Sequence, residues 1–307
     1  MKVAVTGGAG FIGSHIVELL TAEGHEPVVI DNFSTGRRAN VPSGVRLHEI
    51  DVSSSGLEDV FRRERFDSVI HQAAQVKVPE SIRNPYADAR SNILGSVNVL
   101  ACCRTFAVKK LVYASSCAVY GDPGDVSIEE SVSVHPLSFY GLSKNVPEHY
   151  MKLFGELCGL SYTILRYANV YGPRQSSGGE GGVVSIFAER LIGGEAPAIY
   201  GTGNQVRDFV YVKDVAKANV LALADTGSHV LNIGRNERTS INELFALMAS
   251  LNGTPVVPRY LPPREGDIEF SRLDNTAARR VLGWKPAYDL EDGLKETLDY
   301  FRSRISP

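Results

Sequence analysis

No stretch of this chain approaches the ~18 consecutive apolar residues that span a bilayer, which argues against a membrane-spanning helix. Cysteine is scarce: 4 in 307 residues, at Cys102, Cys103, Cys117 and Cys158, with no CxxC spacing. That composition speaks against a disulfide scaffold and against a thiolate metal site, and fits reduced thiols in the cytoplasm. Basic charge is not in excess. A net charge of -3 argues against a nucleic acid or a membrane surface as the main partner. Repeats and low-complexity tracts are missing too, and the chain opens directly on a strand pattern, so no signal peptide is expected. What remains is ordinary globular composition, 43% hydrophobic and 22% charged, with length enough for one large domain or two intimate ones.

The opening residues carry the strongest pattern. Residues 2–5 form a short apolar run rich in β-branched side chains, which reads as a buried strand. Gly7, Gly8, Gly10 and Gly13 follow at once, then Ile12, Ile16, Leu19 and Leu20 at helical spacing, then a second strand over 28–30 ending on Asp31. Strand, glycine turn, helix, strand and acid together mark a dinucleotide site. Glycine permits the tight turn and lets backbone N–H groups at the positive end of the helix approach a pyrophosphate. Gly8, Gly10 and Gly13 fit one common spacing, and Gly7, Gly10 and Gly13 fit a wider one; the turn alone leaves both open. Asp31 stands about twenty residues beyond the glycines, where a carboxylate accepts from ribose hydroxyls. An acid there favours NAD over NADP, against a weaker opposing signal from Arg37 and Arg38.

Further strands are expected over 45–50, 68–71, 111–114 and 162–166, with helices over 56–64, 85–106 and 138–157. This alternation predicts an α/β fold, a Rossmann-type doubly wound parallel sheet over residues 1–170. Beyond it the alternation is lost. A smaller C-terminal substrate-binding α/β lobe is expected over 171–307, with some chain crossing between the two. In that lobe a strand is expected over 204–210 and helices over 215–224, 241–251 and 290–302, with Thr239 or Ser240 capping the second and Asp274 capping a short helix that ends at Leu282. His71 closes the 68–71 strand and reads as a structural histidine rather than a catalytic one.

Tyr140 and Lys144 stand four residues apart on the 138–157 helix and so share a face. A free phenol, with a pKa of about 10, is a poor base at neutral pH. A neighbouring ammonium and an oxidised nicotinamide would stabilise its phenolate. Ser116, at the carboxyl end of the preceding strand, can hydrogen-bond the same substrate oxygen. The three form a proton-transfer site for an alcohol undergoing oxidation. YxxxK alone is a weak signal, because Tyr and Lys at this spacing are frequent on helix surfaces; its place after the serine strand and the glycine turn strengthens it.

At this point the chain resembles the extended short-chain dehydrogenase/reductase family, and within it the nucleotide-sugar 4-epimerases of the UDP-glucose (UDP-galactose) type. The resemblance rests on residues 7–13, 31–36, Ser115-Ser116, Tyr140 with Lys144, the run from Arg166 to Arg174, and Leu282-Gly283-Trp284-Lys285-Pro286. It implies that Gly7, Gly10, Phe11, Ile12, Gly13, Asp31, Asn32, Phe33, Ser34, Thr35, Gly36, Asp51, Val52, Ala73, Ala74, Gln75 and Asn92 contact NAD, joined by Tyr140 and Lys144. It implies that Asn169, Arg207, Arg264 and Asp267 hold the nucleotide sugar beside Ser116 and Tyr140. Arginines suit a diphosphate on chemical grounds as well. No metal is implied, and a homodimer packed through the 85–106 and 138–157 helices is.

Three features refine the expectation. Relatives that dehydrate or decarboxylate the sugar carry an acid just after the catalytic Ser or Thr; here Cys117 and Ala118 follow Ser116, which favours epimerisation. Ser271 stands where other members place a tall tyrosine over the sugar, which leaves room for an N-acetyl group. Pro147, inside the 138–157 helix, is expected to kink it beyond Lys144. The resulting expectation is a cytoplasmic NAD-dependent epimerase of UDP-glucose and UDP-galactose, or of their N-acetyl forms, acting by transient oxidation at C4′. A uronate 4-epimerase, a dehydratase, decarboxylase or reductase of the same family, and a non-catalytic NAD-binding regulator are the alternatives.

Overall fold

Residues 1–176, 182–253, 255–263 and 268–305 are described by the computed structural model. Strand β1 (Lys2–Thr6) is buried from Val3 onward and leads through the glycine turn into α1 (Phe11–Ala22) and β2 (Glu26–Asp31). Then come β3 (Arg46–Glu49), α2 (Leu57–Glu64) and β4 (Ser68–His71). Side chains alternate across the pleat: Val3 and Val5 join the core on one face, while Ala4 joins the core on the other. A sheet buried on both faces needs such all-apolar strands.

Helix α3 (Val78–Arg83) was not legible beforehand. The expected 85–106 helix is built as α4 (Pro85–Ala89), a π-helical turn over Arg90–Leu94, and α5 (Gly95–Thr105). The extra residue of that turn is the kind of local distortion that collects at functional sites. Strand β5 (Lys110–Ser116), α6 (Phe139–Cys158) and β6 (Ser161–Tyr167) complete the first half. Helix α6 is continuous through Pro147, and beyond it Glu148 and Met151 are buried while Leu153 and Leu157 are exposed.

The second half opens with β7 (Asn169–Tyr171), α7 (Val183–Ile192) and β8 (Ala198–Tyr200). The expected 204–210 strand is two strands, β9 (Val206–Arg207) and β10 (Phe209–Tyr211), which pair in different sheets on either side of the buried Asp208. Helix α8 (Val212–Ala224) packs on α1, and β11 (His229–Ile233) pairs with β6, so both return to the first half. After β12 (Thr239–Ser240), helix α9 (Ile241–Asn252) starts on a capping box between Ser240 and Glu243. The chain ends with β13 (Arg259–Leu261), β14 (Phe270–Ser271), α10 (Thr276–Leu282) and α11 (Leu290–Ile305). Asp274 does not cap α10 as expected. Asn275 occupies the cap position, and the Asp274 carboxylate accepts from Thr276 N one residue further on.

The main sheet has seven strands in the order β11-β6-β5-β4-β1-β2-β3, all parallel. From β1 the chain moves outward to β2 and β3, then returns to β4 on the other side. That reversal opens a crevice at the carboxyl ends of β1 and β4, where Thr6 pairs with His71. The same edge carries Ser116 at the end of β5. Three short sheets of the second half stand beside it, β10-β7, β12-β9-β14 and β13-β8.

Candidate active site

The glycine turn has the shape its sequence requires. Gly7 takes φ 68°, and its N–H donates to Ile30 O at 2.8 Å, so the turn spans β1 and β2. A Cβ on Gly13 would overlap Gly7 O and stand 2.8 Å from Gly7 C and 2.9 Å from Gly8 Cα. Gly7 thus serves the turn and Gly13 the close helix–strand contact, and a Cβ on Gly8 would stand 2.9 Å from Val5 O, so both spacings noted in the sequence mark crowded positions. Gly10 differs, since a Cβ there would meet only Gly7 O, at 3.1 Å. No side chain caps the first N–H groups of α1. Uncapped N–H groups beside an open glycine suit the pyrophosphate of a dinucleotide.

Asp31 is 6% exposed, and burial pushes its carboxyl up against the pull of two backbone donors. Oδ2 accepts from Ala9 N at 3.0 Å and Oδ1 from Phe33 N at 2.8 Å. The acid thus fastens the turn and the 32–36 loop together, and each oxygen keeps a further lone pair for a ribose hydroxyl. Asn32 donates to Asp51 at 2.9 Å, joining the loops after β2 and β3, and Gly36 lies against Asp31. Ser34 and Thr35 stand exposed at the rim of that loop, and Val52 is buried against Gly95. Arg38 is drawn to Glu49 at 2.7 Å and stacks on Phe33, away from the Asp31 carboxylate. Phe11 and Ile12 pack against the second-half core. Their position ties the start of α1 to the other lobe.

Across the crevice, Ala73 N donates to Thr6 Oγ1 at 3.2 Å, and Ala74 and Gln75 continue along the edge. Gln75 N donates to Asn92 Oδ1 at 2.8 Å, and Asn92 Nδ2 donates back to Gln75 O at 2.9 Å. The π-helical turn is what aims Asn92 at this loop. His71 is structural. Ser96 Oγ donates to Asn92 O at 2.6 Å, so it accepts from His71 Nε2, and Nδ1 is left to accept from Thr6. Burial holds this histidine neutral, at about 3.

Helix α6 brings the acid–base groups to the same edge. Ser138 caps it through Gly141 N at 3.0 Å, and Gly141 lets it press on the loop after β5, where a Cβ would stand 2.6 Å from Ala118 O. Tyr140 N donates to Ser81 Oγ at 3.1 Å, which uses the unanticipated α3 as a brace. Its phenol lies beside Ser116; burial outweighs the pull of that neighbour and pushes the phenol up to about 12. Lys144 is 3% exposed and lowered to about 8 by burial. Its Nζ donates to Ala114 O at 2.7 Å and lies 5.0 Å from the centre of the Tyr113 ring. The expectation that Lys144 acts on the Tyr140 phenol is therefore not met by the protein alone. A shared helix face is not a contact, and the strand carbonyl takes the ammonium.

Beyond Ser116 the second half closes the site. The thiol of Cys117 lies beside Ser116 and Ser271, and burial pushes it up. Ser271 pairs in register with Arg207, and Asn169 pairs with Phe209 two residues further on. Asn169 Nδ2 is buried without a partner, an unused donor at this edge. Asp208 holds the corner: its carboxylate accepts from Arg235 N at 2.9 Å, Asn236 N at 3.1 Å and Leu273 N at 3.2 Å. Ser116, Tyr140, Lys144, Asn169, Arg207 and Ser271 thus converge at the carboxyl edge of the sheet, whereas Arg264 and Asp267 lie outside the described residues. Asp88, Gly141, Glu148 and Asp208 were missed. Asp88 had one usable signal, its place four residues before Asn92 on a helix.

Residues 3–234 match the model of the NAD dependent epimerase/dehydratase family. A UDP-glucose 4-epimerase of Mycolicibacterium smegmatis is 40% identical over 314 residues, covering 99% of each chain. Among solved structures, UDP-glucose 4-epimerase of Thermotoga maritima with UDP-glucose superimposes with a TM-score of 0.98 at 43% identity, covering 100% of both chains. The Thermus thermophilus UDP-glucose 4-epimerase complex with NAD gives 0.94 at 43% identity, covering 99% of this chain and 100% of that one.

Proposed function

The chain belongs to the NAD dependent epimerase/dehydratase family, and from that premise we propose that it inverts C4′ of UDP-glucose and UDP-galactose with Tyr140 as its acid–base group. It is an NAD-dependent nucleotide-sugar 4-epimerase, an isomerase. The observation that carries the reading of the site is the close packing of α6 on the loop after β5, which sets Tyr140 beside Ser116 at the carboxyl edge of the sheet.

NAD, held by the glycine turn, Asp31 and the 73–75 edge, supplies the hydride acceptor and a cationic ring when bound. Tyr140, as phenolate, takes the proton of the 4′-hydroxyl and later returns it. Ser116 donates to the same oxygen and steadies the 4-keto stage. Burial alone would keep the phenol protonated at neutral pH, so positive charge has to favour its ionisation; the cationic ring of bound NAD would supply it at contact, and Lys144, held at the Ala114 carbonyl, adds this chain's charge at longer range. Arg207 and Asn169 anchor the nucleotide sugar while its ring turns to present the other face. Arg264 and Asp267 are assigned to the same task. The protein places an acid, a base and an anchor, and C4′ is left in either configuration.

Cys117 offers no anion beside Ser116, since burial keeps its thiol protonated. That favours epimerisation over dehydration. Two small side chains, Ser271 and Cys117, meet where a tall one would limit the sugar, which favours a second reading: the N-acetylated pair. Incubation with a panel of UDP-hexoses, read by NMR at C4′, tests both. Each accepted epimer pair should reach one mixture from either side; a dehydrated or decarboxylated product would overturn the assignment.

We propose a homodimer packed through α3 to α6. Tyr86 (77% exposed), Leu94 (57%), Leu153 (52%) and Leu157 (79%) put large apolar side chains in water on adjoining helices, a patch that a monomer rarely leaves bare. Sedimentation should find two copies for the natural chain and one for Leu153→Glu with Leu157→Glu; a monomeric natural chain overturns this. Among the described residues no helix is long and apolar enough to cross a membrane. With four free cysteines, the enzyme is assigned to the cytoplasm.

A further inference from the structure

We propose that Asp88 is a positioning residue of this site: its carboxylate is the counter-charge of the Lys144 ammonium and clamps the Gln75–Asn92 edge against α6. The inference rests on the assignment of Tyr140 and Lys144 given above.

Asp88 lies on α4 and is 1% exposed. Its Oδ1 accepts from Gln75 Nε2 at 2.7 Å and stands 3.2 Å from Asn92 Nδ2, whose two protons reach Gln75 O and Ser143 Oγ more closely. Asn92 Nδ2 also donates to Ser143 Oγ at 2.9 Å, and Ser143 Oγ donates to Tyr140 O at 3.1 Å. One carboxylate therefore connects the loop assigned to the cofactor, the π-helical turn and the helix turn that carries Tyr140 and Lys144.

The charge argument comes from the groups that surround Lys144. Two carboxylates act on its charge through space without forming an ion pair with it, Asp88 from α4 and Glu148 from α6 itself. Glu148 is already matched: Arg166 on β6 donates to it through Nε at 3.0 Å and Nη2 at 2.5 Å, and Ser115 donates at 2.6 Å. From β4, His71 is neutral. From β5, Tyr113 is held protonated by burial, and the thiol of Cys117, beside Tyr140, is likewise pushed up. Among the described residues this leaves Asp88 as the acid that balances Lys144. An ammonium this deeply buried stays charged only with such a partner.

The consequence has a direction. The Asp88 charge raises Lys144, against the burial that lowers it, and also raises the Tyr140 phenol. The acid limb of turnover reports ionisation of the phenol, and the alkaline limb reports loss of the ammonium proton. Asp88→Asn keeps an acceptor for Gln75 and removes the charge, so both limbs should move to lower pH, by about 1 unit. A residue that only holds the fold would lower the rate without moving either limb. Asp88→Glu should restore both limbs to their natural positions at a reduced rate.

The pH profile of kcat is measured on NAD-loaded enzyme for the natural chain, Asp88→Asn, Asp88→Glu and Asp88→Ser; Ser removes the same charge if Asn does not fold. Limbs that stay in place in both neutral variants, or limbs that move in Asp88→Glu as they do in Asp88→Asn, overturn the proposal. Failure of both neutral variants to fold would assign Asp88 to the fold and overturn it as well. Tyr140→Phe separates the two levels of inference. If it is inactive while the Asp88 limbs stay fixed, only this proposal fails; if it is active, the underlying assignment fails.

Discussion

Replacing Tyr140 with phenylalanine is expected to lower C4′ inversion by about 10³-fold while leaving NAD bound. The substitution removes one oxygen. The ring remains, and its backbone is still held by Ser81 from α3 and by the cap of Ser138 on α6. Ser116 cannot replace the lost group. Its hydroxyl is a much weaker acid than a phenol, and no histidine or free carboxylate is hydrogen-bonded to it among the described residues. NAD should stay because, Tyr140 and Lys144 apart, its assigned contacts run through the glycine turn, Asp31, the loops after β2 and β3, the 73–75 edge and Asn92, which the change does not touch. The checks are the inversion rate with UDP-galactose and the NAD released on denaturation. Near-natural turnover would remove Tyr140 as the base, whereas lost NAD would show that the phenol holds the cofactor rather than the proton.

Gly13→Ala is expected to yield protein that purifies without NAD and is less stable by about 3 kcal/mol. The added methyl would stand 2.8 Å from Gly7 C and 2.9 Å from Gly8 Cα. These are backbone atoms of the turn, which β1 and β2 hold from both sides, so they cannot swing away as a side-chain tip would. Relief requires α1 to back off the sheet, and the N–H groups at its start move with it. Gly24→Ala is the control. Gly24 also takes a positive φ, 76°, but nothing lies within 4 Å of its would-be Cβ. It should cost about 1 kcal/mol of backbone strain and leave NAD in place. Retention of NAD by Gly13→Ala at natural stability would show that the turn can open without losing its ligand.

Much of the first half was readable because each of its parts is local. Buried parallel strands need runs such as Val3 to Val5, and a helix over a sheet needs its apolar spacing, so β1, α1, β2, β4, β5 and α6 could be placed to within a few residues. The errors lie where pairing is long-range. The run around Asp208 reads as one strand, yet Val206 pairs with Phe270 while Phe209 pairs with Asn169. The π-helical turn at residues 90–94 has no signature in composition. Ser271 was placed at the site by resemblance alone, and its contact with Cys117 depends on β14 reaching β9 across more than sixty residues of chain.

The amino-acid order by itself determined the glycine turn, the acid after β2, and the spacing of Tyr140 and Lys144, because each is a demand that neighbouring residues make on one another. Only the tertiary structure decided what those groups experience. It sent the Lys144 ammonium to the Ala114 carbonyl, buried the Tyr140 phenol until its pKa rose, and gave Glu148 to Arg166 while leaving Asp88 for Lys144. The physical reason is that charge and proton affinity depend on everything within a few ångströms in space. In this fold those neighbours come from β4, β5, β6, α4 and α6, which the sequence keeps far apart.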